Sequence, residues 1–136
     1  MFRKKFVQAA HRRCLDIREN GMSDIKNITQ KIRKFRDERD WKRFHNHKDV
    51  ALSLVLEASE VLEHFQWKSP QEVEEHGRAE KDELADELAD VAVYLFELAD
   101  NLGIDLPQAI ERKMKKNALK YPIAKAKGRH TKYNKL

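Results

Sequence analysis

Leu54-Val55-Leu56-Glu57-Ala58-Ser59-Glu60-Val61-Leu62 and Leu84-Ala85-Asp86-Glu87-Leu88-Ala89-Asp90-Val91 decide the reading of this chain. Each is apolar enough to be a buried helix, yet each carries a pair of carboxylates spaced i,i+3. That spacing puts both members of a pair on one helical face. A buried carboxylate is costly unless something positive compensates it. If the two helices pack side by side, Glu57, Glu60, Glu87 and Asp90 converge, and a hard divalent cation with oxygen ligands is the simplest compensation.

Outward from these stretches, the chain is all-α. At 136 residues it is one domain by length. Only four glycines and three prolines disfavour a turn-rich all-β fold. Apolar spacing predicts a first helix over 25–37, from Ile25, Ile28, Ile32 and Phe35. The run Glu38 to His45 breaks that period and reads as a structured loop. Asn46 and Asp49 cap a second helix over about 47–66, with Val50, Leu54, Ala58, Val61, Leu62 and Phe65 in one stripe. Leu52 and Leu56 add a second apolar face, as on a helix buried between layers or at a subunit interface. Ser69-Pro70-Gln71-Glu72 is a capping box that starts a short helix. A third long helix over about 79–102 carries Leu84, Leu88, Val91, Leu95, Leu98 and Leu102 and stops at Gly103. Asp105 caps a fourth, which ends before Tyr121-Pro122.

Charge divides the chain. Residues 1–21 carry a net +4 and residues 123–136 a net +5, which leaves residues 22–122 at about −4 within the total of +5. The expected organisation is a basic N-terminal extension (1–21, with Met22 as an alternative start), a folded domain (22–122) and a basic tail (123–136). A nucleic-acid reader would carry its positive charge on the folded body, and this body is mildly acidic. The single cysteine, Cys14, excludes an intrachain disulfide and fits a reducing, cytoplasmic setting. No apolar run is long enough for a membrane span.

Helical projection separates the acids. Glu57 borders the apolar stripe of the second helix, and Glu60 lies one step further out. Glu87, Asp90, Tyr94 and Glu97 flank the stripe of the third long helix. Glu63, Glu83 and Asp86 read as solvated. No glutamate has a histidine three residues on, so the di-iron pattern of helical bundles is missing. Zinc would want Cys or His. All-oxygen ligation points to Mg²⁺, with Mn²⁺ the other candidate. Such a cluster suits a polyphosphate substrate, with one carboxylate left free as a base; Glu60 is the candidate.

Trp41 and Trp67, the only tryptophans, stand at the two ends of the second helix, either covering the core or bordering a slot for a flat base. Lys113 and Asn117 share a face of the fourth helix, where Lys113 could reach a phosphate.

Taken in order, Glu38-Arg39-Asp40-Trp41-Lys42-Arg43-Phe44-His45, Glu57-x-x-Glu60, Phe65-Gln66-Trp67-Lys68, Glu87-x-x-Asp90-Val91-x-x-Tyr94, Asp105-Leu106-Pro107, Lys113-Met114-x-x-Asn117 and Tyr121-Pro122 resemble the dCTP pyrophosphatase branch of the MazG-like nucleotide pyrophosphohydrolases. The resemblance covers about residues 25–122. It implies a MazG-like helical bundle assembled as a dimer or tetramer, and Mg²⁺-dependent hydrolysis of a nucleoside triphosphate to monophosphate and pyrophosphate. It implies Glu57, Glu60, Glu87 and Asp90 as metal ligands and Trp41 and Trp67 as the base clamp. Tyr94, Lys113, Asn117 and Tyr121 become sugar or phosphate contacts. Ile32 stands where mammalian members have a base-contacting histidine, and the spacer after Trp67 is shorter. Both departures bear on base preference and leave the reaction class intact. The competing reading is a non-catalytic helical module that binds nucleic acid or an acidic partner through its tail.

Overall fold

The structure, a computed structural model, describes residues 21–135. The expected basic extension therefore lies outside the described residues apart from Gly21. Among the described residues there is no strand. The helices are α1 (Gly21–Asp37), α2 (His47–Glu63), α3 (Pro70–Ala79), α4 (Lys81–Asn101), α5 (Leu106–Lys120) and the single turn α6 (Ile123–Ala126). Short 3-10 turns occupy Trp41–Arg43 and Tyr133–Lys135. The chain divides into two compact units that meet at Leu102 and Gly103.

In the first unit, α2 lies along α4 in the most extensive interhelical contact, and α1 and α3 pack on α4 as well. The caps read from the sequence are in place. Asn46 Oδ1 accepts from the Asp49 backbone N–H at 3.0 Å. The Ser69 box is complete: Glu72 Oε2 accepts from the Ser69 N–H at 2.7 Å, and Ser69 Oγ accepts from the Glu72 N–H. α2 ends at Glu63, three residues earlier than expected, because the chain turns at His64 to bring α3 back. α4 stops at Asn101, and Gly103 takes the left-handed φ of +64° that glycine tolerates best.

The inward face of α1 differs from the one its apolar spacing suggests. Ile25, Thr29, Ile32 and Arg36 turn inward, whereas Ile28 and Phe35 are about half exposed. Ion pairs set this rotation. Arg33 grips Asp100 with two guanidinium nitrogens, the Nε contact at 3.0 Å. One turn on, Arg36 reaches Glu97 at 3.3 Å, Asn101 at 2.9 Å and Asp37 at 2.8 Å. Arg36 and Glu97 are 3% and 4% exposed, so this pair is buried between α1 and α4. Burial works against the Arg36 charge, but the hydrogen bonds and charges of Asp37 and Glu97 outweigh it and hold its pKa above the usual value.

The apolar core of the single chain is small. Among the described residues only Val50, Leu84 and Ala99 are buried hydrophobics. Several side chains of the expected stripes stay open: Leu62 is 60% exposed, Leu88 56% and Leu102 47%. The second apolar face of α2 is open too, with Leu52, Val55 and Leu56 each more than half exposed.

In the second unit, Asp105 Oδ1 caps α5 by accepting from the Gln108 N–H at 3.0 Å. The basic tail folds back locally here. The Tyr133 ring meets Tyr121 edge-on at 5.9 Å, and the Lys120 ammonium sits 4.9 Å from its centroid.

Candidate active site

α2 and α4 place the acidic pairs against one another. One carboxylate oxygen each from Glu57, Glu87 and Asp90 lies within 4.8 Å of the others. Glu57 and Glu87 are half-buried; Asp90 is exposed. Glu60 stands outside this trio, exposed on α2, close enough to Glu87 to push that carboxyl up. Burial and then the Glu60 and Asp90 charges push the Glu57 carboxyl above its usual range. Glu87 is raised by the same causes, burial first and then Glu60, with His64 pulling the other way. Glu63, Glu83 and Asp86 are exposed, as expected of solvated acids.

No Lys or Arg pairs with Glu57, Glu60, Glu87 or Asp90 among the described residues. Elsewhere the interior leaves no buried side-chain polar atom unpartnered among the described residues. Three converging carboxylates, those of Glu57 and Glu87 with raised pKa values, and no protein cation beside them are chemically suited to a divalent cation, and all-oxygen donors favour a hard one.

The tryptophans are held differently. Trp41 opens the 3-10 turn and is 43% exposed. Its ring meets Phe35 edge-on at 5.9 Å and lies 6.2 Å from His45. The Arg39 guanidinium stacks 3.5 Å over the Phe35 ring. His45 Nδ1 contacts Glu97 Oε1 at 2.8 Å, so the buried Arg36–Glu97 pair also braces the wall of the Trp41 turn. Trp67 is 92% exposed and has a φ of +65°. A bulky side chain in that region costs about 1–3 kcal/mol, and so much exposed ring covers no core of this chain. Tyr94 is half-buried on α4, one turn beyond Asp90.

Lys113, Asn117 and Tyr121 belong to the second unit. Lys113 is exposed and Asn117 half-buried on α5, and the Tyr121 N–H bonds to the Asn117 carbonyl at 2.9 Å.

Three groups escaped the sequence reading. Projection sets Glu97 beside the apolar stripe but gives it no partner, Arg36 carries no assigned role, and His45 lies in the loop. Their signal was register: Arg36 follows Ile32 by four, and Glu97 is flanked by apolar neighbours.

Residues 52–136 match the MazG-like family. The chain belongs to that family. It is 39% identical over 120 residues to dCTP pyrophosphatase 1 of Mus musculus and 38% identical to that of Homo sapiens. Each alignment covers 87% of this chain and 69% of the relative. A pyrophosphatase from Archaeoglobus fulgidus superimposes with a TM-score of 0.68 at 41% identity, over 75% of this chain and 93% of its own. The chain is accordingly an all-α nucleotide pyrophosphohydrolase. No helix among the described residues is long and apolar enough to cross a membrane.

Proposed function

We propose that this chain hydrolyses a deoxynucleoside triphosphate of the dCTP type to monophosphate and pyrophosphate, with Mg²⁺ (or Mn²⁺) held by Glu57, Glu87 and Asp90 and with Glu60 beside them. The observation that carries this reading is the trio of carboxylate oxygens within 4.8 Å, drawn from two helices and paired with no Lys or Arg. A divalent cation bound there supplies positive charge against the triphosphate oxygens.

The protein's own groups do the rest. Glu60, exposed and outside the trio, takes the proton of the attacking water. The water oxygen bonds to phosphorus, the bridge between the α and β phosphates breaks, and pyrophosphate leaves with the bonding pair. The half-buried flank of Glu57 and Glu87 limits competing solvent. Trp67, already facing outward, stacks on the base, and Trp41, at the far end of the 17-residue α2, closes the other side from a second copy of the chain; such stacking contributes about 1–3 kcal/mol per base. Tyr94 contacts the sugar. For the second unit we assign Lys113, Asn117 and Tyr121 to sugar and phosphate. The reaction is assigned to residues 22–122, in the cytoplasm.

The open apolar face of α2 supports assembly with a second copy. Leu52, Val55, Leu56 and Leu62 are 54–64% exposed in one chain, an apolar surface that isolated monomers rarely leave uncovered. Dimer and tetramer both satisfy this reading.

Incubation with dCTP and Mg²⁺, followed by separation of products, tests the reaction. Monophosphate and pyrophosphate are expected; orthophosphate would refute the bond assignment. A panel of triphosphates reads the base preference. Glu60→Gln and Asp90→Asn should each lower turnover by orders of magnitude with helicity intact, and a near-normal rate removes that residue from the site.

A further inference from the structure

A pair of histidines outside the acidic trio has no part in the hydrolytic reading. His64 caps the C-terminus of α2, and His76 stands in the last turn of α3. His64 Nδ1 and His76 Nε2 are 3.0 Å apart, and the ring centroids lie 5.2 Å apart with a 40° tilt. Both side chains are half-buried, and Phe65 backs the His76 ring edge-on at 6.2 Å. As it stands, one imidazole N–H donates to the lone pair of the other, and a single proton joins the two helices.

The same two nitrogens form a ligand pair for a different kind of ion. Metal–imidazole bonds of about 2.0–2.1 Å that meet at a right angle set the two nitrogens about 3.0 Å apart, and a tetrahedral angle asks for about 3.4 Å. An ion that takes the place of the shared proton therefore needs only a swivel of the rings and a small opening. His64 lies close enough to Glu87 to pull that carboxyl down, so a negative side chain stands near the pair. Among the described residues no third His, Cys, Asp or Glu lies within ligand distance of both nitrogens, so water completes the shell and the site stays exchangeable. Donor chemistry separates the two places. The carboxylate trio suits hard ions, whereas paired imidazoles suit zinc, nickel, cobalt or copper.

We propose that His64 Nδ1 and His76 Nε2 form a second metal site, for a borderline divalent transition ion of the zinc class, that clamps α3 to the end of α2. The clamp spans the turn that carries Trp67, so its occupancy fixes the segment presenting that ring. The proposal does not depend on the hydrolytic assignment.

The test is calorimetric titration of Zn²⁺ into the full chain with Mg²⁺ in large excess to hold the carboxylates. A binding event is expected that His64→Gln and His76→Gln each weaken at least about tenfold, the lower bound for losing even a supporting group of a metal site. No Zn²⁺ event, or an event unchanged in either variant, overturns the proposal. Imidazole proton–nitrogen spectra of the unsubstituted chain supply a reading free of any folding defect. Zn²⁺ should shift His64 Nδ1 and His76 Nε2, and shifts confined to other histidines would equally overturn it.

Discussion

Replacing Arg36 with methionine and Glu97 with leucine, singly and together, isolates the ion pair that sets α1 on α4. Both side chains are at most 4% exposed. Removing one partner of a buried pair typically costs about 3–5 kcal/mol, because the other charge is left uncompensated, whereas replacing both with apolar groups is often close to neutral. The surroundings rank the two single variants. In Glu97→Leu, Arg36 keeps Asp37 and Asn101, so the loss falls near about 3 kcal/mol. In Arg36→Met, Glu97 is left with the His45 imidazole alone, and the loss lies at the upper end of the range. The double variant should be less destabilised than either single one. Denaturant unfolding followed by helical circular dichroism, at one fixed chain concentration, measures all three. A double variant that loses as much as the two single losses combined would refute the reasoning, as would single losses under about 1 kcal/mol. Because Glu97 also holds His45 beside Trp41, Glu97→Leu should raise KM for the nucleotide more than it lowers kcat.

Trp67→Ala should weaken nucleotide affinity by about 1–3 kcal/mol, roughly 5- to 150-fold in KM. Trp67→Gly, which suits the positive φ, should lose the same affinity while leaving stability equal or higher, and a clear drop in Tm would contradict that. The raised carboxyls of Glu57 and Glu87 fix a pH trend for the metal-free protein. Their contribution is fully present below the ordinary value of 4.5 and is lost as pH climbs through their raised folded values. Melting curves with chelator should therefore fall with pH above that point, and added Mg²⁺ should flatten or reverse the trend. Ser69→Ala should cost about 1 kcal/mol through the lost cap. Glu72, held below its usual range by its hydrogen bonds with Ser69, has the opposite pH sign, its contribution fading as pH falls through its lowered value.

Local chemistry was legible in the sequence. Asn46, Ser69 and Asp105 announce helix starts because an N-cap is satisfied within three residues, and the observed bonds are those three. The carboxylates stood out because Glu57 interrupts an apolar run, and the structure brings Glu57, Glu87 and Asp90 together. What stayed hidden depends on partners far apart in the chain. Apolar spacing turns Phe35 inward, whereas a charge pair 61 residues apart turns Arg36 inward instead. Phe35 then joins Trp41 and Arg39 in an aromatic cluster at the turn. The His64–His76 contact was hidden for a related reason. It forms only once the chain reverses after α2, and no periodicity encodes a reversal.

A chain whose buried apolar side chains are Val50, Leu84 and Ala99 among its described residues has little holding it together on its own. With the proposed pairing across α2, association and folding become one equilibrium. Dilution then acts as a denaturant. Catalytic rate would rise faster than linearly with enzyme concentration until the face of Leu52, Val55 and Leu56 is covered. Synthesis rate, through its hold on chain concentration, would govern the working fraction of the enzyme as well as its amount.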